Sequence, residues 1–192
     1  MTSAAACVQT TIASPLGLML LAASPHGLIG AWFTDQRHLP PAERIQGWPQ
    51  APTHAVLVEA SRQLSAYFQG ARKSFELPLD FASGTAFQQA VWQALLNIPA
   101  GATLSYGALA RQLGKPAAVR AVGAAVGRNP LSIVVPCHRV LGAGGALTGY
   151  AGGLQRKTAL LKMEGVLIPE SHQSALHSAS TPAAASKRLP AH

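Results

Sequence analysis

Ile133-Val134-Val135-Pro136-Cys137-His138-Arg139-Val140 is the stretch from which the rest of the chain can be read. Three consecutive β-branched apolar residues predict a short buried strand. Pro136 has no backbone N–H to give to a ladder, so the strand should end there and turn. Cys137 then stands at the tip of a rigid element, where a scaffold presents a nucleophile. Within residues 84–169, Cys137 is the only cysteine, His138 the only histidine and Glu164 the only acid. A free thiol is only a few per cent ionised at neutral pH, so a nucleophilic cysteine needs a base. His138 is the candidate base, and Glu164 the group to orient it and stabilise its cation. Neighbours on a strand point to opposite faces, so thiol and imidazole should not touch, and a bridging water is expected between them. A buried inert cysteine is the competing reading; the proline, the lone histidine and the lone acid together favour the nucleophile.

Upstream, Ser83-Gly84-Thr85 marks a boundary and a helix cap, and Phe87, Val91, Leu95 and Ile98 follow at helical spacing until Pro99-Ala100-Gly101. Two short helices come next. Residues 105–113 carry Tyr106, Leu109 and Leu113 inward, Gly114-Lys115-Pro116 turns the chain, and residues 117–126 carry Val119, Val122 and Val126 on one face. Helix, glycine-containing turn and helix among basic residues is the helix-turn-helix pattern. The remaining positions of the second helix are alanine or glycine, with Arg120 its single long side chain. Readers of base sequence carry several long polar side chains there. Small residues instead bring backbone close to a groove wall and leave Arg120 to enter the duplex, which suits binding without sequence preference. Asn129, after Arg128, is either a helix cap or an amide tie to the cysteine loop. Downstream lie a glycine turn at 142–145 and the small-residue loop Thr148-Gly149-Tyr150-Ala151-Gly152-Gly153. A last helix at 154–164 should pack Leu160, Leu161 and Met163. From Pro169 onward there is no periodicity, and a disordered tail is expected.

The first half reads differently. Residues 8–34 predict three short antiparallel strands, 35–53 an irregular loop, and Leu57, Ala60, Leu64, Tyr67 and Phe68 a helix stopped by Gly70. Residues 75–81 predict an edge strand, because Pro78 would break a central one. No catalytic constellation is visible there, and His26, His38 and His54 read as surface residues. The apolar run 16–23 lacks a preceding Lys or Arg and is too short to span a bilayer, so a core strand is expected and no membrane association. Cys7 and Cys137 form neither a disulfide framework nor a metal-ligand spacing, which points to a reducing cytoplasm. The formal charge of +8 is uneven. Residues 1–83 are neutral, whereas residues 84–169 hold eight Lys/Arg against Glu164 alone, and a half this basic points to a polyanionic partner.

Taken in order, Arg120-Ala121-Val122-Gly123, Asn129-Pro130, Pro136-Cys137-His138-Arg139-Val140 and Thr148-Gly149-Tyr150-Ala151-Gly152-Gly153-Leu154 resemble the O6-alkylguanine-DNA alkyltransferases over roughly residues 84–166. The family is also known as the methylated-DNA–protein-cysteine methyltransferases. The resemblance implies an α/β (α+β) fold. Residues 1–83 would form a small antiparallel-sheet domain with a helix, 84–168 a mainly helical DNA-binding and catalytic domain, and 169–192 the tail. It implies that Cys137 attacks the O6-alkyl carbon of a damaged guanine and keeps the alkyl group. His138 would deprotonate Cys137 through a water, Glu164 would bind the imidazole, and Asn129 would brace helix against loop. Tyr150, the Ala151 N–H and the carbonyls of Cys137 and Val140 would hold the everted base. Tyr106 would press on the neighbouring phosphate, Arg120 would fill the vacated stack, and Ala121, Lys115 and Arg128 would line the DNA. O4-methylthymine would be a second substrate.

A thioether is a very poor leaving group, so one turnover per molecule and no cofactor are expected. Ala151 stands where some relatives carry serine. The first half lacks the cysteine and histidine set for a structural zinc, so no metal is expected. The implied partner is double-stranded DNA bearing O6-alkylguanine, met without sequence preference by a monomer. Three rivals fare worse. A non-catalytic lesion binder would lack Cys137, a transcription regulator would not carry an alanine-rich second helix, and a Cys-His acyl hydrolase would leave Arg120 without a role.

Overall fold

The computed structural model describes residues 7–167; the expected tail lies outside them. The chain opens with an antiparallel meander, β1 (Val8–Ile12), β2 (Met19–Ser24) and β3 (Gly27–Phe33), in that order across the sheet. Every residue of β2 is buried, because the sheet is covered on both faces. Met19, Leu21 and Ala23 face one way, with Ala31 and Phe33, onto the helix α2 (Ala55–Phe68), which offers Leu57, Ala60, Leu64 and Tyr67. Leu20, Ala22 and Trp32 face the other way, against Leu39, Ile45 and Trp48. That second cover includes a short helix, α1 (Ala42–Gln46), inside the segment read as irregular. Trp32 and Trp48 stack there at 6.3 Å, so this stretch is ordered by packing, not by helical propensity.

The expected strand at 75–81 reduces to one bridge, Leu28 with Leu79. Pro78 supplies a carbonyl to Leu28 but has no N–H to return, and Gln63 takes both backbone groups of Glu76 with its side-chain amide. Asp80 returns one N–H to the Leu28 carbonyl at 2.9 Å, and the pairing goes no further. His26 and His38 are exposed as expected, whereas His54 is half-buried at the start of α2.

α3 (Ala86–Leu95) starts at Thr85, whose hydroxyl and the Gln88 side chain form a reciprocal capping box. It buries Val91, Trp92 and Leu95, and the Trp92 indole donates to the Ala125 carbonyl at 2.9 Å. α4 (Tyr106–Gln112) is capped by Ser105 and follows the two-residue strand β4 (Leu104–Ser105). α5 (Val119–Gly127) follows a 3₁₀ turn begun by Pro116. Its buried face is Val122, Ala125 and Val126; Val119, expected inward, is 37% exposed because it is the first helical residue.

The stretch 133–135 is not a strand. It is buried throughout, but Ile133 sits at φ 73° and the pairing is limited to single bridges, Ala31 with Leu131 and Ser132 with Val135. An unbroken apolar run reports burial on all sides, and that environment does not by itself select an extended backbone. Cys137–Arg139 form a 3₁₀ turn, and the true strand follows the cysteine as β5 (Val140–Leu141), parallel to β4. α6 (Leu154–Met163) closes the structure with Leu160 and Leu161 buried and Met163, expected to pack, 44% exposed at its end. One hydrophobic cluster runs through both halves, from Phe33 and Tyr67 to Ile133, Val140 and Leu160.

Candidate active site

Cys137 begins the 3₁₀ turn and is 5% exposed. Its sulfur lies 3.1 Å from Asn129 Nδ2. The same amide nitrogen donates to the carbonyls of Val135 (2.8 Å) and Leu131 (3.3 Å), and Asn129 Oδ1 accepts from the Leu131 N–H at 3.0 Å. Arg128, not Asn129, caps α5. Asn129 therefore acts as the tie, fixing the loop that carries the thiol. Burial pushes the Cys137 pKa up, more than the Asn129 bond and the Lys157 charge pull it down, so the resting group is a thiol.

His138 is fully buried, and its Nε2 lies 3.0 Å from Glu164 Oε1. Burial lowers its pKa against the opposing pull of Glu164, which keeps the imidazole neutral. A neutral ring facing a carboxylate through Nε2 carries its proton there, leaving the Nδ1 lone pair as the base. Nδ1 is buried and has no partner among the described residues, and no direct hydrogen bond joins it to Cys137.

Glu164 ends α6. Its Oε1 accepts from His138, Arg139 Nη2 (2.7 Å) and the Tyr67 hydroxyl (2.8 Å), and its Oε2 from Arg139 Nε (2.8 Å). Burial alone would raise this carboxyl; the bonds from His138 and Arg139 outweigh it and hold the pKa at about 2. Arg139 also donates to the Ile98 carbonyl. Its charge adds to the basic balance of the second half, yet it is 5% exposed and belongs to this network.

Around the thiol stand the remaining residues. Tyr150 is buried and its hydroxyl has no partner among the described residues. Ala151 is half-buried, and its carbonyl accepts from the Arg37 N–H at 3.0 Å. Tyr106 reaches from α4 to the Gly149 carbonyl at 3.4 Å, with its ring against Gly123 of α5. The Val140 carbonyl, expected to await a base, already accepts from Lys157 Nζ at 2.6 Å, which leaves one of its two lone pairs. Arg120, Ala121, Lys115 and Arg128 are all exposed on α5 and its flanks, outside the buried group.

Three comparisons with known proteins bear on this geometry. Residues 86–166 match the family described as 6-O-methylguanine DNA methyltransferase, DNA binding domain, and residues 7–81 its ribonuclease-like domain. A methylated-DNA–protein-cysteine methyltransferase of Mycobacterium leprae is 50% identical over 151 residues, covering 79% of this chain and 88% of that one. The chain belongs to this methyltransferase family. A Methanosarcina acetivorans member is 49% identical, with 79% and 94% covered. A crystal structure of the Mycobacterium tuberculosis protein in complex with DNA superposes with a TM-score of 0.75 at 47% identity, covering 82% and 92%.

Three residues of this family member escaped the sequence reading. Lys157 is fully buried on α6, with Nζ donating to Val140, Thr148 (2.6 Å) and Gly149 (3.2 Å), so one ammonium joins α6, β5 and the 148–153 loop. Its burial lowers the pKa to about 8, against the pull of Cys137. A lysine at helical spacing between Leu154 and Leu161 was the available signal. Arg139 and Tyr67 gave none, because their partner lies far along the chain. No cluster of metal-ligating side chains and no helix long and apolar enough to cross a membrane occurs among the described residues.

Proposed function

We propose that the protein repairs O6-alkylguanine, and O4-methylthymine, in duplex DNA by moving the alkyl group onto Cys137, once per molecule. The observation that carries this reading is the buried His138 Nδ1, without a partner among the described residues, on the residue next to Cys137, whose thiol Asn129 holds. A water bridges the two, passes the thiol proton to Nδ1, and Glu164 stabilises the imidazolium. The sulfur attacks the alkyl carbon and the C–O6 bond breaks. Its electron pair leaves with guanine, which takes up one proton and becomes the ordinary base. Tyr150 and the Ala151 N–H hold the base, with the second lone pair of the Val140 carbonyl open to the guanine amino group.

The reacting carbon lies inside the stack, so the nucleotide must be everted, at a cost of about a few kcal/mol. Arg120 fills the gap and offsets part of that cost, while Tyr106 presses on the adjacent phosphate. Exposed Arg111, Lys115, Arg120 and Arg128 attract phosphates without reading bases. A reactive free thiol suits a reducing compartment, the cytoplasm.

The test is incubation with duplex DNA bearing O6-methylguanine and no S-adenosylmethionine, followed by mass analysis of the Cys137 peptide. A gain of one methyl on that peptide is expected. Cys137→Ser should bind the DNA and gain nothing; methylation persisting in that variant contradicts the proposal.

A further inference from the structure

Tyr67 lies on α2, in the half of the chain that carries no chemistry in the sequence reading. Its ring packs between Phe68 and Phe75, at 5.6 and 5.5 Å, and is 4% exposed. Packing explains the ring but not the hydroxyl, which is aimed across the molecule at Glu164 Oε1, 97 residues away in sequence. That oxygen is crowded. It takes three donors, from His138, Arg139 and Tyr67, whereas Oε2 takes Arg139 alone. The Arg139 guanidinium already balances the carboxylate charge, so the phenol is not needed to neutralise it. It shares lone pairs with the imidazole instead.

We propose that Tyr67 is a positioning residue for alkyl transfer, donating to Glu164 Oε1 so that the carboxylate holds His138 without drawing a second proton onto its ring. The inference rests on the alkyl-transfer reading. Burial and the neighbouring Glu164 raise the Tyr67 pKa far above the ordinary phenol, so the hydroxyl donates at every working pH. The charged and titratable groups facing His138 come from each element packed on it. Arg139 on its own turn and Lys157 on α6 disfavour the imidazolium, and Glu164 at the end of α6 favours it. Cys137 precedes His138 on the same turn, and the Tyr150 hydroxyl is near enough to the Cys137 sulfur to feel its charge. Removing the phenol oxygen changes the Glu164 contribution first: a carboxylate with one donor fewer is more negative at Oε1 and binds an imidazolium more strongly. The His138 pKa then rises. Transfer needs the neutral ring, so the acid limb of the rate profile moves to higher pH.

The experiment measures single-turnover transfer from O6-methylguanine duplex across about pH 5 to 9, the range in which a histidine titrates, for wild type, Tyr67→Phe and Phe75→Leu. Tyr67→Phe keeps the ring and loses one oxygen. Its acid limb should move up by about one unit, which is roughly tenfold in rate well below the limb and little change on the plateau. Phe75→Leu loosens the same pocket without touching Glu164, so its limb should stay in place even if its melting temperature falls. An unmoved limb in Tyr67→Phe, a limb moved to lower pH, or an equal loss at all pH values overturns the proposal. Wild type that transfers normally beside an unshifted Tyr67→Phe defeats only the tyrosine; wild type that never alkylates Cys137 defeats the alkyl-transfer reading as well.

Discussion

At the scale of single residues, the site is a neutral base and a buried ion pair sharing one carboxylate, and their pKa shifts make stability depend on pH. Glu164 is held at about 2 against an ordinary 4.5. Its folded pKa is depressed, so its contribution is complete above about pH 4.5 and is lost as pH falls toward 2. A shift of that size corresponds to about 3 kcal/mol. His138 is also depressed from 6.5, so the unfolded chain takes up that proton first and stability begins to fall below about pH 6.5. Urea unfolding at stepped pH should therefore show two acid-side declines. In Glu164→Gln the lower one should shrink, leaving the part that belongs to Asp35 and Asp80, whose carboxyls are also held below their ordinary values by Arg156 and Ser24. That variant should also be less stable at neutral pH by about 3–5 kcal/mol, because Arg139 is left buried without its partner. A lower decline of undiminished size would contradict this role for Glu164. Cys137, His138 and Glu164 were legible in the sequence because each is the only one of its kind in its half, whereas Asn129 was left open between a helix cap and a tie. Tyr67 and Arg139 were not, since nothing local distinguishes a phenol in a core or an arginine in a basic half from ordinary packing and surface charge.

At the scale of elements, the helices were read well and the central strand was not. Caps and 3.6-residue spacing announce a helix locally, as Thr85 with Gln88 does for α3. The 133–135 run carries only burial; the backbone is set from its flanks, by Ala31 bridged to Leu131 from a hundred residues away and by the Asn129 amide on the Val135 carbonyl. Two predictions belong here. Lys157→Met withdraws the donor from three carbonyls that join α6, β5 and the 148–153 loop. Unfolding stability should fall by about 2 kcal/mol or more, and amide exchange at Gly149 and Tyr150 should speed up; unchanged exchange there would deny the lysine its role as a fastener. Arg120→Ala, on the exposed side of α5, should slow repair of duplex DNA while leaving the reaction with free O6-benzylguanine intact. Equal loss on both substrates would argue that the arginine does not fill the vacated stack.

At the scale of the molecule, the two halves are one machine. The first half lends Tyr67 to Glu164 and Gln36 to Ser132, whose hydroxyl donates at 3.0 Å, and Asp35 to Arg156 at 2.9 Å. Its Ala31 pairs with Leu131 at the root of the cysteine loop. The sequence reading saw a neutral half without chemistry and a basic half with it, because contacts across about a hundred residues leave no periodic trace. The basic surface of the second half is smaller than its charge count: Arg139 and Lys157 are buried and Arg156 is paired, so the exposed cations of that half concentrate on the helix-turn-helix and at Lys162. The proposed reaction consumes one sulfur per lesion removed. Titrating a fixed amount of protein with excess O6-methylguanine duplex and counting restored guanines at the plateau tests it directly. The expected plateau is about one guanine per protein molecule, with all the methyl on Cys137 and none on Cys7, because a thioether has no route back to thiol. Continued repair beyond that ratio, or methyl accumulating on Cys7, would contradict it.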